Sequence, residues 1–259
     1  LAAQLGFTIE RDTRNYLRKH SSKIKETASE RITQELFKLL MTENASYYMS
    51  LCEKDKVLHK ILNVTNAKIK DNLLMLIKFD QFIKRFGSGK FKKLFYSRIS
   101  PLLNSTISQG LSRSGLIRLS ILLNNMNRAN ANKCFNLRYS KSIMKRVMNI
   151  QDGMMLTTGR ITKSKLYDVF TAAVDCEYEA ALIVSVTRQN NVDKFINRAN
   201  DYIKFKKYPL LDGHEIQKIL NIGPSALIGK IQVEVHKRRF LGIIRTKTEA
   251  QHWIISNLT

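Results

Sequence analysis

The sequence predicts an all-α protein, and three observations carry that prediction. The chain has 259 residues but only three prolines, so few positions would interrupt a helix. Apolar residues recur at three- and four-residue spacing along most of the chain. A sustained alternation of apolar and polar residues, which would indicate half-buried strands, is not found, and no motif repeats at a fixed period.

Two helix signals stand near the beginning of the chain. Residues 1–7 have the pattern of a last helical turn, with Gly6 as the residue that closes it. Thr27 and Glu30 have the spacing of a capping box, in which each side chain bonds the backbone of the other at a helix start. The sequence therefore predicts a helix from this point with one apolar stripe. That stripe consists of Ile32, Leu36, Leu39 and Leu40.

Further helices are expected in the middle of the chain. One should begin near Asn44, one should cover 68–85, and a buried central helix should cover 116–126. The sequence 87–89, Gly-Ser-Gly, is expected to break the second of these as a flexible turn, and Pro101 suits the first turn of another helix. The supporting apolar residues are Tyr48, Leu51, Cys52, Ile69, Leu73, Leu76, Ile77, Ile83, Leu119, Leu122, Leu123 and Met126.

The second half of the chain continues this pattern. A polar loop is expected over 124–133, and a basic amphipathic helix over 140–149 with Ile143 and Val147 facing inward. A long helical stretch, 163–186, is expected to break near Asp175. The remaining expectations are a turn at 189–191, helices over 192–205, 226–240 and 248–258, and interruptions at Gly213 and at Gly223-Pro224.

The charge of the chain is its most unusual property. Forty-four Lys and Arg residues stand against twenty-one Asp and Glu, which gives a formal net charge of +23. Such an excess indicates an anionic partner, either nucleic acid or a membrane surface. A membrane span would need about 20 consecutive apolar residues, which the sequence lacks, and the cations are spread over the whole length. Nucleic acid is therefore the favoured partner.

The cysteines and histidines do not suggest a metal site. Cys52, Cys134 and Cys176 lie far apart, which predicts reduced, buried thiols and the interior of a cell or organelle. The histidines with no Cys or acidic residue at ligand spacing are expected to have surface or capping roles. They are His20, His59, His214 and His252.

Several short motifs occur in a defined order along nearly the whole chain. They are Ala2 to Glu10 followed by Thr13; Ser29-Glu30-Arg31-Ile32 with Glu35-Leu36; Arg118 to Leu123; Leu137-Arg138-Tyr139-Ser140; Leu211 to Ile216; Pro224 to Ile231; and Thr248-Glu249-Ala250. Each motif alone is weak, but the ordered set resembles class II tRNA nucleotidyltransferases (CCA-adding enzymes) and bacterial-type poly(A) polymerases.

This resemblance implies an elongated array of helices in neck-like (1–64), body-like (65–188) and tail-like (189–259) regions. In the family, a catalytic head with a Gly-Ser pair and an Asp-x-Asp motif holds two metal ions. The resemblance here begins just after that head, and the sequence has no Asp-x-Asp. Without such carboxylates a pair of Mg²⁺ ions cannot be held for phosphoryl transfer. We therefore expect no catalytic residue, metal or cofactor in this chain, with Mg²⁺ relevant only if a catalytic head precedes Leu1.

Some relatives also carry a His-Asp phosphohydrolase site in the body. The corresponding place holds Asn124-Asn125, and amides are poor substitutes for such a metal pair. In the tail, Pro224-Ser225-Ala226 replaces a Pro-Gly-Pro pattern of the family. The following helix start still offers backbone amides and Lys230 to a phosphate, but the change puts the usual tail contact in doubt.

Four groups of cations are the candidate RNA contacts. The alternative interpretation of each group is an ordinary charged surface that faces solvent. The densest alternates cations with Phe82, Phe86 and Phe91, rings that could stack on bases but more often belong to a core. The others are a basic helix face, a cluster around Tyr202, and a cluster after His236. The residues are Lys84, Arg85, Lys90, Lys92, Lys93; Arg138, Lys141, Lys145, Arg146; Lys204, Lys206, Lys207; and Lys237, Arg238, Arg239, with Lys230 in addition.

Two functions remain open on the sequence. In one, the chain is a non-catalytic structural subunit of an RNA–protein assembly, such as a mitochondrial ribosome, in which other proteins could be its neighbours. In the other, it is the C-terminal tRNA-binding part of an active CCA-adding enzyme. The charge favours the first, since a permanent RNA contact can use more cations than an enzyme that must release its tRNA. The expected location is the mitochondrial matrix, or otherwise the cytoplasm.

Overall fold

The computed structural model describes residues 1–62, 66–89, 92–124, 137–188 and 192–258, and it confirms the all-α fold class. Apart from one short hairpin, the regular structure in these residues is helical. The chain divides into two compact units, unit 1 (1–151) and unit 2 (152–259). The finer division into neck, body and tail regions stays a prediction. No helix in the described residues is long and apolar enough to cross a membrane.

Unit 1 is built on a long helix, α6, that packs against two others, α4 and α9. Helix α9 is buried along its whole length after its first residue. The elements of this part of the chain are α1 (Ala2–Leu5), α2 (Arg11–His20), a 3-10 segment (Ser21–Glu26), α3 (Ser29–Leu40), α4 (Ala45–Lys54), α5 (Val57–Leu62), α6 (Asn66–Ser88), α7 (Lys92–Leu94), a π-helical turn (Phe95–Ile99), α8 (Ser100–Asn104), β1 (Thr106–Ser108), β2 (Leu111–Ser112), α9 (Arg113–Leu122) and α10 (Lys141–Met155).

A buried ion pair ties four helices of unit 1 together. Nε of Arg118 on α9 donates to Oδ1 of Asp80 on α6 over 2.8 Å, and both side chains are less than a tenth exposed. The second carboxylate oxygen accepts the backbone N–H of Ser46 on α4, also over 2.8 Å. Nη1 of Arg118 donates to the carbonyl of Leu40 on α3. The pair is thus satisfied by further hydrogen bonds, as a buried charge requires.

Unit 2 contains six described helices. The break predicted near Asp175 is confirmed: this residue has a φ of +60° and separates two helices. The C-terminal helices close around an apolar core that includes Ile216, Ile228 and Ile254. The elements are α11 (Lys163–Ala172), α12 (Glu177–Arg188), α13 (Val192–Lys207), α14 (Gly213–Leu220), α15 (Ala226–Leu241) and α16 (Lys247–Leu258).

Several helix predictions are confirmed in position. Gly6 closes α1 in the left-handed conformation (φ +72°), Pro101 lies in the first turn of α8, and the basic amphipathic helix forms α10 with Ile143 and Val147 buried. Most of α9 was expected, although Met126 and the loop beyond Asn124 lie outside the described residues, as do Cys134 and the turn at 189–191.

The capping box predicted at Thr27 is wrong. Thr27 follows the 3-10 segment in an extended conformation, with its N–H bound to the carbonyl of Ile24. Ala28 is the N-cap of α3, and no side chain caps this helix. A true capping box occurs instead at α14, where Asp212 accepts the N–H of Glu215 and Glu215 accepts the N–H of Asp212. Gly213, expected only to interrupt the chain, is thus the first residue of a helix.

The hairpin of β1 and β2 was not predicted. Its strands pair antiparallel through Thr106 with Ser112 and Ser108 with Leu111. Gln109 and Gly110 form the connection, and both have positive φ values, as a two-residue hairpin turn requires. Strands of three and two residues are too short to produce a pattern of alternating polarity.

Candidate nucleic-acid interface

The densest predicted cluster forms an exposed basic surface at the end of α6 and the start of α7. The α6–α7 surface consists of Lys84, Arg85, Lys92 and Lys93, all of which are exposed. Lys90 and Phe91 lie outside the described residues. The two remaining rings of the cluster pack together: Phe82 stacks on Phe86 with centroids 6.0 Å apart. These rings are half-buried, so the packing interpretation fits them better than free stacking surfaces for bases.

The flexible turn predicted at 87–89 is wrong, because Gly87 and Ser88 continue α6. The glycine serves close packing: a Cβ at Gly87 would lie only 3.1 Å from the ring of Phe95. Phe95 in turn contacts Phe86, with ring centroids 6.3 Å apart. Lys84 and Arg85 therefore extend from the last turns of α6, and the N–H of Gly89 is already bonded to the carbonyl of Arg85.

A polar cavity of about 410 Å³ lies beside this surface in unit 1. Lys84 lines it on the α6 side, and the Asp80–Arg118 pair lines its inner part. Tyr96, on the π-helical turn, also lines the cavity while remaining 57% exposed. Its ring stands edge-on to Phe95, with centroids 5.2 Å apart. Sequence reasoning missed this cavity because its residues come from separate segments of the chain.

The second predicted group lies before and along α10. Lys141 and Lys145 are exposed on this helix, and Arg146 is half-buried. Arg138 is 76% exposed yet pairs with Glu30 over 2.8 Å. A backbone amide and then Arg138 lower the pKa of Glu30 through hydrogen bonds. The two lysines thus form an exposed basic face on α10, as predicted. Arg138 differs from them because it already pairs with a carboxylate.

The third and fourth groups come together in unit 2, because α13 packs against α15. We call this region the α13–α15 surface. Its exposed cations are Lys204, Lys206 and Lys207 at the end of α13. Arg239 on α15 lies over the ring of Phe205 at 4.1 Å and donates to the carbonyl of Tyr208 over 2.6 Å. The guanidinium therefore joins the ends of the two helices.

Two other cations of α15 also have partners. Arg238 lies 4.5 Å over the ring of Trp253 and within 2.9 Å of Glu234. Lys237 pairs with Asp168 over 3.4 Å. The ring of Trp253 thus packs against the guanidinium of Arg238 on α15. Lys230 is exposed near the start of α15, whose N-cap Ser225 makes no side-chain capping bond.

A buried aromatic cluster supports the α13–α15 surface, and sequence reasoning missed it. Tyr202, grouped with the surface cations, is only 5% exposed. His236 bridges two tyrosines: its Nδ1 accepts the hydroxyl of Tyr167 over 3.0 Å, and its Nε2 donates to the carbonyl of Tyr202 over 3.2 Å. Burial lowers the pKa of His236 and raises the pKa of Tyr167 to about 12. Phe170 and Phe240 complete the cluster.

The buried acidic side chain nearest the beginning of the chain also has a structural partner. Asp55 receives Nε and Nη2 of Arg14 over 2.9 and 2.8 Å, and Nε of Arg18 over 2.8 Å. The bond from Arg14 and then that from Arg18 lower the pKa of Asp55. Helix α2, which has no buried residue of its own, is thereby held to the end of α4. The described residues contain no group of three His, Cys, Asp or Glu placed to hold a metal ion.

Comparison with known proteins confirms the resemblance predicted from the ordered motifs. Residues 6–69 match a family model described as "Probable RNA and SrmB-binding site of polymerase A". The chain is 25% identical to the CC-adding tRNA nucleotidyltransferase of Synechocystis sp., with 96% of this chain and 60% of that protein covered.

Solved structures share the fold. A CCA-adding enzyme in complex with CTP matches 99% of this chain and 57% of its own, with a TM-score of 0.65 and 14% identity. The Thermotoga maritima CCA-adding enzyme complexed with tRNA(CCA) matches 100% of this chain and 59% of its own, with a TM-score of 0.62 and 13% identity. The chain thus spans about three fifths of the length of the proteins it matches.

Proposed function

We propose that this tRNA nucleotidyltransferase-like chain binds RNA, mainly through phosphates, with exposed basic surfaces on both of its units. The observation that carries the proposal is the placement of lysines on ordered helix ends, in the α6–α7 and α13–α15 surfaces, within a chain of net charge +23. Cations on a rigid element neutralise phosphates at fixed positions without ordering a loop first. The family model matched by residues 6–69 supports the same role.

The RNA that best fits the comparisons is tRNA. The curated relative is named a CC-adding tRNA nucleotidyltransferase, and one structural neighbour was solved with tRNA(CCA). Side chains cannot read the deep, narrow major groove of an A-form helix. Contacts by this chain would therefore follow the shape and phosphates of a tRNA arm, with little dependence on paired sequence.

We assign to this chain the binding of RNA, and not nucleotide transfer. Its two best-buried aspartates are held by arginines: Asp55 by Arg14 and Arg18, and Asp80 by Arg118. A carboxylate held in this way accepts hydrogen bonds from arginine on the same chain, which assigns it to the fold. Transfer of CMP or AMP would depend on a catalytic head, and the metal ions would belong to that head.

A second candidate function is that of a structural subunit in an RNA–protein assembly, of which a mitochondrial ribosome is one example. The specific observation in its favour is the size of the charge excess. Each further neutralised phosphate raises the affinity for RNA, and a high affinity suits a permanent contact better than turnover.

Two experiments test these proposals. The first measures the dissociation constant for a tRNA that lacks its CCA end, and for a duplex with the same number of phosphates, between 50 and 200 mM salt. We expect log Kd to rise linearly with the logarithm of the salt concentration, with a slope of about 0.9 for each phosphate contacted. A flat dependence would remove the RNA-binding proposal. Preference for the tRNA at 200 mM supports the tRNA-binding role, and equal affinities support the structural subunit.

The second experiment tests the native protein, isolated with whatever adjoins this chain, for incorporation of CMP or AMP into the same tRNA. Incorporation would identify the chain as the RNA-binding part of an enzyme. Its absence, together with recovery of the native protein in a ribonucleoprotein particle, would support the structural subunit.

A further inference from the structure

We propose that the polar cavity of unit 1 receives a single unpaired base of the bound RNA, with Tyr96 as the stacking surface. The inference rests on the proposed RNA-binding function and adds to it a specific site for one nucleotide. The cavity has a volume of about 410 Å³ and opens beside the α6–α7 surface, which shares Lys84 with it. Ligand pockets of this size combine a largely preformed shape with a few polar groups that fix orientation.

Tyr96 has the position and exposure that base stacking requires. Its ring lines the cavity and is 57% exposed, although a large aromatic side chain is more often covered. One edge of the ring is supported by the contact with Phe95. Phe95 is itself only 8% exposed and packs closely on Gly87, so Tyr96 stands on a well-packed part of unit 1. A base that stacks on Tyr96 would therefore find its aromatic partner already in place.

The lining of the cavity also includes polar groups that suit the edge of a base. Glu43 and Asn44, on the connection between α3 and α4, are both exposed and line the cavity. Asn44 is the N-cap of α4 but its side chain makes no capping bond, so its amide is not used by the helix. A carboxylate only accepts hydrogen bonds, whereas an amide both donates and accepts. Guanine presents adjacent N–H donors at its pairing edge, which makes it the base best matched to Glu43.

The inner part of the cavity favours a neutral ligand over a free phosphate. Asp80 and Arg118 neutralise each other there, and both oxygens of Asp80 already accept hydrogen bonds. The cation on the α6 side, Lys84, is exposed and can reach a phosphate outside the cavity. A nucleotide would then enter base first, with its base inside the cavity and its phosphate at the α6–α7 surface.

The pairing state of a base decides whether it can enter the cavity. A base within an A-form helix has both faces stacked and its pairing edge occupied, so it cannot reach Tyr96 or Glu43. A bulged or single-stranded base can. The cavity therefore favours RNA with an unpaired guanine over a continuous duplex of equal charge.

The test compares three RNAs with equal numbers of phosphates: a hairpin with a bulged guanine, the same hairpin with a bulged uracil, and a fully paired hairpin. Affinities are measured for the whole chain at one salt concentration. We expect Tyr96→Ala to weaken binding of the bulged guanine by about fivefold or more and to leave the paired hairpin unchanged. Tyr96→Phe, which keeps the ring, is the matched control and should bind like the unaltered chain.

Glu43→Gln provides a second readout, because it keeps the size of the side chain and replaces one acceptor by a donor. We expect it to reduce the preference for guanine over uracil and to leave Tyr96-dependent stacking in place. Equal weakening of all three RNAs by Tyr96→Ala, or no weakening of any, would overturn the cavity assignment while salt-dependent binding of the paired hairpin preserves the proposed function. Absence of binding to all three would overturn both.

Discussion

The two units use their cations in different ways. In unit 1 the α6–α7 surface consists of exposed side chains beside an open cavity, and the arginine that stabilises the fold, Arg118, is buried with Asp80. In unit 2 exposed cations and cations that stabilise the fold lie side by side. Arg238 and Arg239 are half-buried over aromatic rings, next to exposed lysines. A cation next to an aromatic residue in the sequence can therefore either contact RNA or stabilise the fold. Only its burial and its partners in the structure distinguish the two roles.

The buried pair of unit 1 should give the largest effect on stability. Replacing Arg118 by Met leaves Asp80 charged and without its main partner in a dry environment, so we expect unfolding of unit 1 to become easier by about 3–5 kcal/mol. Urea denaturation followed by circular dichroism measures this loss. Lys84→Met removes the same charge from an exposed position and should change stability by less than about 0.5 kcal/mol. Similar losses in both variants would contradict the structural role of Arg118.

The buried histidine of unit 2 should make that unit sensitive to mild acid. Burial lowers the pKa of His236 below its unfolded value of about 6.5. Between the two values the unfolded chain binds more protons, so the free energy of unfolding falls as the pH decreases through this range. Trp253, the one tryptophan of the chain, reports unfolding of unit 2 by its fluorescence.

His236→Gln isolates this contribution. Glu177, whose pKa is raised by burial, acts in the opposite sense, because its contribution to stability is lost as the pH rises. Both proteins contain Glu177, so its contribution cancels when their free energies of unfolding are compared. We expect the unaltered chain to lose more stability than His236→Gln between pH 7.5 and 5.5. A loss in the unaltered chain that is equal to or smaller than in the variant would rule out protonation of His236 as the cause.

A smaller effect is expected where a half-buried arginine joins two helices of unit 2. Arg239→Lys keeps the charge but removes the flat guanidinium from Phe205 and its bond to Tyr208. Unfolding monitored at Trp253 should become easier by about 1 kcal/mol. The matched control, Lys204→Arg, is an exchange of the same two residue types at an exposed position and should be near neutral. If both exchanges are neutral, the contact with Phe205 does not stabilise unit 2.

The sequence predicts what depends on local periodicity and misses what depends on distant partners. Helix α10 and the break at Asp175 follow from spacing alone and are confirmed. The T-x-x-E pattern at Thr27 does not form a capping box, because Thr27 ends the preceding 3-10 segment and is not the N-cap of α3. The D-x-x-E pattern at Asp212 does form one. Both patterns are equally valid locally, and only the neighbouring elements decide between them.

The candidate sites show the same limit. The exposed lysines of the α6–α7 and α13–α15 surfaces were named from their density, and their role in RNA binding stays a prediction. The Asp80–Arg118 pair joins residues 38 positions apart, and the cavity beside it draws on four separate segments. Gly87 was expected in a turn, because a glycine in a sequence does not reveal the ring of Phe95 that packs against it. Such arrangements require the fold.

The salt dependence of RNA binding in charge-removal variants shows whether the α6–α7 and α13–α15 surfaces contact RNA phosphates. Replacing three lysines of one surface by Gln should lower the slope of log Kd against log salt by up to about 2.7, or about 0.9 per lost phosphate contact. Removing three exposed lysines outside the proposed surfaces should leave the slope unchanged. The lysines replaced by Gln are Lys84, Lys92 and Lys93 in unit 1, Lys204, Lys206 and Lys207 in unit 2, and Lys163, Lys194 and Lys218 in the control.

We expect each surface variant to lose slope and the control to keep the slope of the unaltered chain. Equal slopes in all variants, or a control that loses as much slope as the surface variants, would show that the charge of the chain acts without organised RNA-binding surfaces.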